Sequence, residues 1–387
     1  MTASPFYGHF DDLRGRAVCG WVWHPAEPER QVAVNILIDG EPVVGGLAAD
    51  HRPDLEAAGA GDGRKSFALM LPLERMDGAE HEILVTAEDG SPLLGSPRHM
   101  VLPDLRFHPL TADPTPYPIE LAICAIAKNE ARYMLEWIAY HRLVGVQHFL
   151  VFDNESDDGM SEMLDRLATQ GVVERVPWRT IIPGPAPQLS AYAEGLRRLR
   201  ERAKWIAFID LDEFLNPLEG QSVRSILADY EGAAGLVVPW RLFGSSGEEV
   251  YRDDLVIRRF TRRAEDDHPV NSSVKTIVRG NCVEAVGVHV PIPLRGQLVD
   301  EFLTVAGTIS YPDHHPVPTA RRLVLNHYFG KSRQEWQIKR AKGRADLNAT
   351  RTDEEFTGHD RNEVEDTRML AWCDAVMEEM NRLRDPA

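Results

Sequence analysis

Residues 205–215 read WIAFIDLDEFL, a strand-length apolar run, Trp205–Ile209, that breaks into Asp210-Leu211-Asp212-Glu213. An uninterrupted apolar run of this length, bounded by polar residues, fits a strand buried on both faces. Two runs of the same kind stand upstream, IELAICAIA at 119–127 and HFLVF at 148–152. Stretches of helical spacing separate them: ARYMLEWIAYHRLVG at 131–145, SDDGMSEMLDRLATQG at 156–171, and a third from about Leu189 to Ala203. VVERVPW (172–178), SVRSILADY (222–230) and GLVVPW (235–240) continue the alternation. Strands alternating with helices predict an α/β architecture, a mostly parallel sheet covered on both sides.

Upstream of this region the period changes to two. Val32, Val34, Ile36 and Ile38 alternate with other residues, as do Phe67, Leu69 and Leu71, and Asp-Gly pairs recur at 39–40, 62–63, 77–78 and 89–90. Alternation punctuated by Asp-Gly predicts a small all-β sandwich, with room for one helical turn around Asp50–Ala58. Pro103, Pro109, Pro114, Pro116 and Pro118 then interrupt the chain. Proline at that density sustains neither ladder nor helix, so the expected division is a β-sandwich accessory domain at 1–105, a stiff linker at 106–118, an α/β domain at 119–350 and a helical extension at 351–387.

Of the 387 residues, 43 are Lys or Arg and 60 are Asp or Glu, a net charge of −17. Such a balance argues against a duplex nucleic acid or an anionic membrane as partner. No stretch approaches the roughly 20 apolar residues that span a bilayer, and residues 1–16 lack the layout of a signal peptide. Four widely spaced cysteines, Cys19, Cys124, Cys282 and Cys373, form no CxxC. A zinc ribbon is thereby excluded, and the expected location is cytoplasmic, peripheral to the inner membrane at most. Walker, GxGxxG and GxSxG patterns are missing, which argues against NTPase, dehydrogenase and serine-hydrolase chemistry.

In open α/β sheets ligands bind beyond the carboxyl ends of the strands. The residues at those ends are Lys128, Asn129 and Glu130; Asp153 and Asn154; and Asp210 and Asp212. Asp210-Leu211-Asp212 offers hard oxygen ligands for Mn²⁺ or Mg²⁺, and an acidic chain needs such a cation to hold a diphosphate. An aspartyl phosphotransferase motif, DxDxT, is disfavoured because Phe214 stands in the threonine position. Downstream, Asn326-His327-Tyr328-Phe329 follows an apolar LVL, and residues 331–344 carry six cations against the single acid Glu335. That local charge suits phosphate oxygens, with Arg340 and Arg344 as candidate donor ligands. Lys275, in SVKTIVR, is placed to meet an anion, and Trp240, at the head of WRLFGSSG, offers an indole on which an acceptor sugar stacks.

AIAKNE (125–130), the EWIAYHRLVGV helix, VFDNESDDG, WIAFIDLDEFL, WRLFGSSG, VKTIVR and NHYFGKSRQEW, in this order over about 119–350, resemble glycosyltransferase family 92 and its bacterial family-2-like relatives. The resemblance implies a GT-A, Rossmann-like fold, a nucleotide-sugar donor (UDP-galactose where known), Mn²⁺ and inversion at the anomeric carbon. It also implies that Asp153 and Asn154 face the nucleotide, Asp210 and Asp212 the metal and diphosphate, and that His327 matches a C-terminal metal histidine. The first domain, with GWVW at 20–23, is similar to accessory carbohydrate-binding-like domains.

The expectation is therefore a metal-dependent inverting glycosyltransferase that moves a sugar from a UDP-sugar to a hydroxyl of a glycan or glycoconjugate. Asp210, Asp212 and His327 would hold the metal. Glu248 is the expected general base, with Asp267 and Asp313 behind it. Two other readings stay open: a carbohydrate-binding protein with an inactive transferase domain, and a metal-dependent phosphoryl transferase.

Overall fold

The computed structural model describes residues 4–181, 186–306, 320–342 and 351–385. The chain divides into two compact units, Met1–Phe107 and His108–Ala387.

In the first unit the period of two becomes two antiparallel sheets. One runs β1 (Tyr7–Arg14), β2 (Ala17–Trp23), β6 (Arg64–Met70), β5 (Asp50–His51); the other runs β4 (Glu41–Ala48), β3 (Val32–Ile38), β7 (Glu80–Ala87), β8 (Arg98–Val101). Alternate residues of both sheets fill one core, Phe10, Val18, Val22 and Phe67 from the first and Val34, Ile36, Ile38, Ile83 and Val85 from the second. The α-helix α1 (Pro53–Ala57) lies in the stretch that left room for one. Of the four Asp-Gly pairs, 39–40 makes a two-residue hairpin between β3 and β4, with both residues left-handed (φ 53° and 83°) as that turn demands. The other three lie within longer connections.

The second unit holds a sheet in the order β11 (Val173–Pro177), β10 (His148–Asp153), β9 (Ile119–Ala127), β12 (Ala203–Phe208), β16 (Val274–Arg279), β14 (Gly235–Leu242), β20 (Leu323–His327), β13 (Glu213–Pro217). The remaining strands are short. β15 (Arg262–Arg263) pairs with β21 (Val364–Glu365), β17 (Val283–Val286) with β18 (Pro291–Pro293), and β19 (Leu298–Val299) lies beside β14. The helices are α2 (Ala131–Leu143), α3 (Met160–Thr169), α4 (Pro187–Leu199), α5 (Val223–Leu227), α6 (Val256–Arg259), α7 (Arg333–Lys342), α8 (Asp353–His359) and α9 (Cys373–Arg384).

Strands β11, β10, β9 and β12 are parallel, as the alternation predicts. From β12 onward the sheet is mixed, which the apolar pattern does not predict. For β13 the reason is one of length. A parallel neighbour needs a crossover of about a dozen residues, and only residues 209–212 separate β12 from β13. The chain therefore leaves the parallel half at Phe208 and re-enters at the far edge, antiparallel to β20.

Even-numbered residues of β9, Ala122, Cys124 and Ile126, face α4 through Ala191, Tyr192 and Leu196. The approach is close: a Cβ on Gly195 would lie 2.3 Å from the Cys124 Sγ, so only glycine fits there. The opposite face carries α2, whose Trp137 meets Phe149 of β10 edge-on at 5.7 Å. Helix α9 is tied to α2 by Arg142 and Glu379 at 2.7 Å. The stretch expected as a linker differs from a free spacer beyond His108: the Leu110 amide donates to the Gly232 carbonyl, and Asp113 pairs with buried Arg279 at 3.2 Å. No helix among the described residues is long and apolar enough to cross a membrane.

Because each unit has its own core, a chain starting at His108 is expected to fold without the first 107 residues. A cooperative thermal transition by circular dichroism checks this; an insoluble or non-cooperative product would show the sandwich to be part of the second core.

Candidate active site

The parallel register brings three strand ends to one edge. Asp153 closes β10 opposite Ala127 of β9, and Phe208 of β12 pairs with Cys124. Just past the ends of β9, β10 and β20, Asn129, Glu155 and Lys331 take left-handed backbone conformations (φ 55°, 56° and 53°). Such conformations cost energy in non-glycine residues and concentrate where a structure serves a ligand.

The corner at 209–212 presents two carboxylates with different surroundings. The Asp210 Oδ1 accepts from Gln188 Nε2 at 2.7 Å and Tyr192 Oη at 3.2 Å, and its Oδ2 accepts from Lys275 Nζ at 3.0 Å. The Asp210 amide donates to Glu213 Oε2 at 2.8 Å. Burial lowers the proton affinity of the Lys275 ammonium, but Asp210 and Glu213 outweigh it and hold the group above its ordinary value. Burial, with Asp210 and Asp212 adding to it against Lys275, raises the Glu213 carboxyl well above its ordinary value.

Asp212 looks the other way. Its Oδ2 accepts from Lys339 Nζ at 2.5 Å, and its Oδ1 lies 3.6 Å from His327 Nε2. The antiparallel pairing of β13 with β20 sets this contact, placing Glu213 opposite His327 while the Tyr328 amide donates to the Asp212 carbonyl. Burial alone would push the Asp212 carboxyl up; Lys339 and His327 reverse it and hold the group well below the usual carboxylate range. Burial lowers the His327 imidazole, with Asp212 opposing. His327 Nδ1 is buried with no hydrogen-bond partner, and its ring lies 4.2 Å from that of Trp240.

The donor set fits a divalent cation. Two ligands of one ion at about 2.1 Å each stand roughly 3 Å apart, close to the separation of the Asp212 oxygen and the His327 nitrogen. Among the described residues no group of three or more His, Cys, Asp or Glu is arranged to hold a metal. A cation on Asp212 and His327 would therefore take its other ligands from phosphate oxygens and water, as Mg²⁺ sites commonly do. Asp210, expected as a third ligand, is instead engaged by Gln188, Tyr192 and Lys275.

The other expected residues fall into groups. Asn129 and Glu130 gather at Lys342, which bonds the Asn129 carbonyl and pairs with Glu130 at 2.9 Å. Lys128 is exposed. Asp153 is spent on internal bonds, its Oδ2 accepting from Ser161 Oγ at 2.5 Å and Arg175 Nε at 2.8 Å. Asn154 donates to the Trp178 carbonyl and Thr180 Oγ1. Glu248 pairs with Arg252 at 2.8 Å and with Arg259 at 2.7 Å. Arg340, expected at the donor, turns instead to Asp353 at the surface. Asp267 is exposed. Arg344 and Asp313 lie outside the described residues.

Sequence reasoning missed Gln188 and Tyr192, gave Glu213 no role of its own, and did not single out Lys339 from its cationic neighbours. Gln188 and Tyr192 stand four apart on the helix preceding the Asp210 strand, a spacing that shares one face. It also missed Arg259, whose guanidinium is bidentate on buried Glu335 at 3.1 and 2.6 Å and joins α6 to α7. Arg259→Met leaves that carboxylate its bonds from Tyr133 and Ser332 but no counter-charge, and an unfolding free energy lower by about 3 kcal/mol is expected in denaturant titration; a loss under about 1 kcal/mol would mean the pair is dispensable.

A glycosyltransferase family 92 model matches residues 118–356. A glycosyltransferase family 92 protein of Ricinus communis is 34% identical over 237 residues, 58% of this chain and 36% of that protein. One of Oryza sativa subsp. japonica is 36% identical over 111 residues, 28% of this chain and 18% of that protein. The chain thus matches about a third or less of the length of these curated relatives. Among solved structures, glucosyl-3-phosphoglycerate synthase from Mycobacterium tuberculosis, in complex with Mn²⁺, UDP and glucosyl-3-phosphoglycerate, is 21% identical over 32% of this chain and 44% of that one. Its TM-score is 0.23, too slight a likeness to carry a fold or a ligand across.

Proposed function

Because this chain belongs to glycosyltransferase family 92, we propose that it is a metal-dependent inverting glycosyltransferase of GT-A type. It moves a sugar, galactose being the first candidate, from a UDP-sugar to a hydroxyl of a glycan or glycoconjugate. The observation that supports this most is the Asp212–His327 pair at the mouth of the corner, flanked by buried Lys275 and partly exposed Lys339. Asp210 and Asp212 are each matched by one ammonium, so a diphosphate arriving there needs further positive charge.

Asp212 and His327 would hold the cation, which supplies charge to offset the departing diphosphate. Lys275, fixed between Asp210 and Glu213, keeps Asp210 oriented. Asn129, Glu130 and Lys342 form the rim beside it, where the donor would lie, and Trp240 next to His327 gives the acceptor sugar a stacking surface. The acceptor hydroxyl must lose a proton as it attacks. Glu248 takes it in this scheme, exchanging its bond to exposed Arg252 for the hydroxyl while Arg259 holds its other oxygen.

Incubation with Mn²⁺ and a panel of UDP- and GDP-sugars tests the proposal. Slow release of free nucleotide diphosphate and sugar from one donor is the expected result. Release of nucleoside monophosphate and sugar 1-phosphate instead would mark a phosphoryl transferase, and no turnover of any donor would leave a binding protein.

A further inference from the structure

Lys339 occupies the place on Asp212 where a metal ion's charge would act. Its ammonium contacts Asp212 Oδ2 at 2.5 Å, donates to the Phe329 carbonyl at 2.7 Å, and lies 4.4 Å from the Phe329 ring centroid. About a fifth of the side chain remains exposed, on a helix whose neighbouring Lys342 reaches the rim at Asn129 and Glu130. The other lysine of the site differs. Lys275 is buried, and with Asp210 and Glu213 both beside it, it has nowhere else to put its charge.

We propose that Lys339 is an exchangeable internal counter-ion: it neutralises Asp212 when no donor is bound, and moves onto the donor's phosphates when a divalent cation takes over Asp212. This rests on the reading of Asp212 as a metal ligand. Two cations compete for one carboxylate, so the metal alone must displace a charge-assisted hydrogen bond. With a nucleoside diphosphate present, the ammonium gains new anionic oxygens, and the displacement costs little. Metal and nucleotide consequently bind with positive coupling, and by linkage each tightens the other by the same factor. The exchange also protects the free protein from holding an unmatched, largely buried carboxylate.

The test is Mn²⁺ binding, followed by electron paramagnetic resonance and calorimetry, with and without UDP. In the unaltered protein Mn²⁺ is expected to bind at least about tenfold more tightly when UDP is present. Lys339→Gln should tighten Mn²⁺ binding without UDP by about ten- to a hundredfold, the range of a charge-assisted hydrogen bond, and shrink the coupling. Lys339→Arg, which keeps the charge, should leave Mn²⁺ alone as weak as in the unaltered protein. If Mn²⁺ binds the unaltered protein equally with and without UDP, or if Lys339→Gln binds Mn²⁺ no more tightly, the exchange does not occur. The UDP arm of the unaltered protein needs no variant to fold. Absence of Mn²⁺–UDP binding that depends on Asp212 would overturn the metal reading itself, a different result from either of these.

Discussion

Asp212→Asn is expected to lower sugar transfer by about a thousandfold while leaving the protein folded. Asparagine keeps the volume of the side chain and removes the charge that the Lys339 ammonium, and the cation proposed above, both require. Metal stabilisation of a departing diphosphate is worth several kcal/mol, and each 1.4 kcal/mol is a factor of ten. The backbone at this position stays fixed, because the bond from the Tyr328 amide to the Asp212 carbonyl does not involve the side chain. Lys339 loses its partner but turns to solvent through its exposed fraction, so the stability loss stays well below that of a sealed ion pair. Transfer assays beside thermal melts give the two readouts. Unchanged turnover in a folded variant would remove Asp212 from the chemistry.

The second large effect concerns stability. Trp137 is fully buried on α2, and its Nε1 donates to the Glu213 carbonyl at 2.9 Å. Its ring meets His141 at 4.7 Å and Phe149 at 5.7 Å. Trp137→Ala opens a cavity beneath the strand that carries Glu213, and about 3–5 kcal/mol of unfolding free energy is expected to go with it. For a unit of this size that lowers the melting midpoint by about 10 °C. Trp137→Phe keeps most of the volume and gives up the hydrogen bond, so its loss should be about a third as large. A melt of the alanine variant that matches the parent would show that α2 is not what supports this strand.

The parallel half of the sheet was legible because it is written locally. Runs such as IELAICAIA leave no polar face, and helical spacing separates them. The strand ends at Asn129, Asp153 and Asp210 followed from the same pattern. The mixed half was not legible. Nothing in EFLNP or LVLNH states that β13 pairs with β20 more than a hundred residues away, and that pairing is what sets His327 against Asp212. The motif supplied the right residue types, but not their division of labour. Asp210 and Asp212 look equivalent in sequence, yet one is held by Gln188, Tyr192 and Lys275 and the other by Lys339. Likewise, charge counting marked residues 331–344 as cationic, but only the helix sets Lys339 and Lys342 inward and Arg340 toward Asp353.

The corner between β12 and β13 also constrains what this gene can tolerate. Side chains along a strand alternate in direction, so one extra codon between Phe208 and Glu213 would reverse every face of β13. Phe214, now tilted against Tyr140 at 5.4 Å and edge-on to Tyr328 at 5.3 Å, would turn toward the lysines. Glu213 would enter the space between Tyr140 and Tyr328 that Phe214 now fills. Substitutions at Leu211 change only what fills the bend, whereas insertions and deletions rewrite which residues meet which. The length of this segment therefore matters to the site as much as the two carboxylates it carries, and more than the residue at its bend.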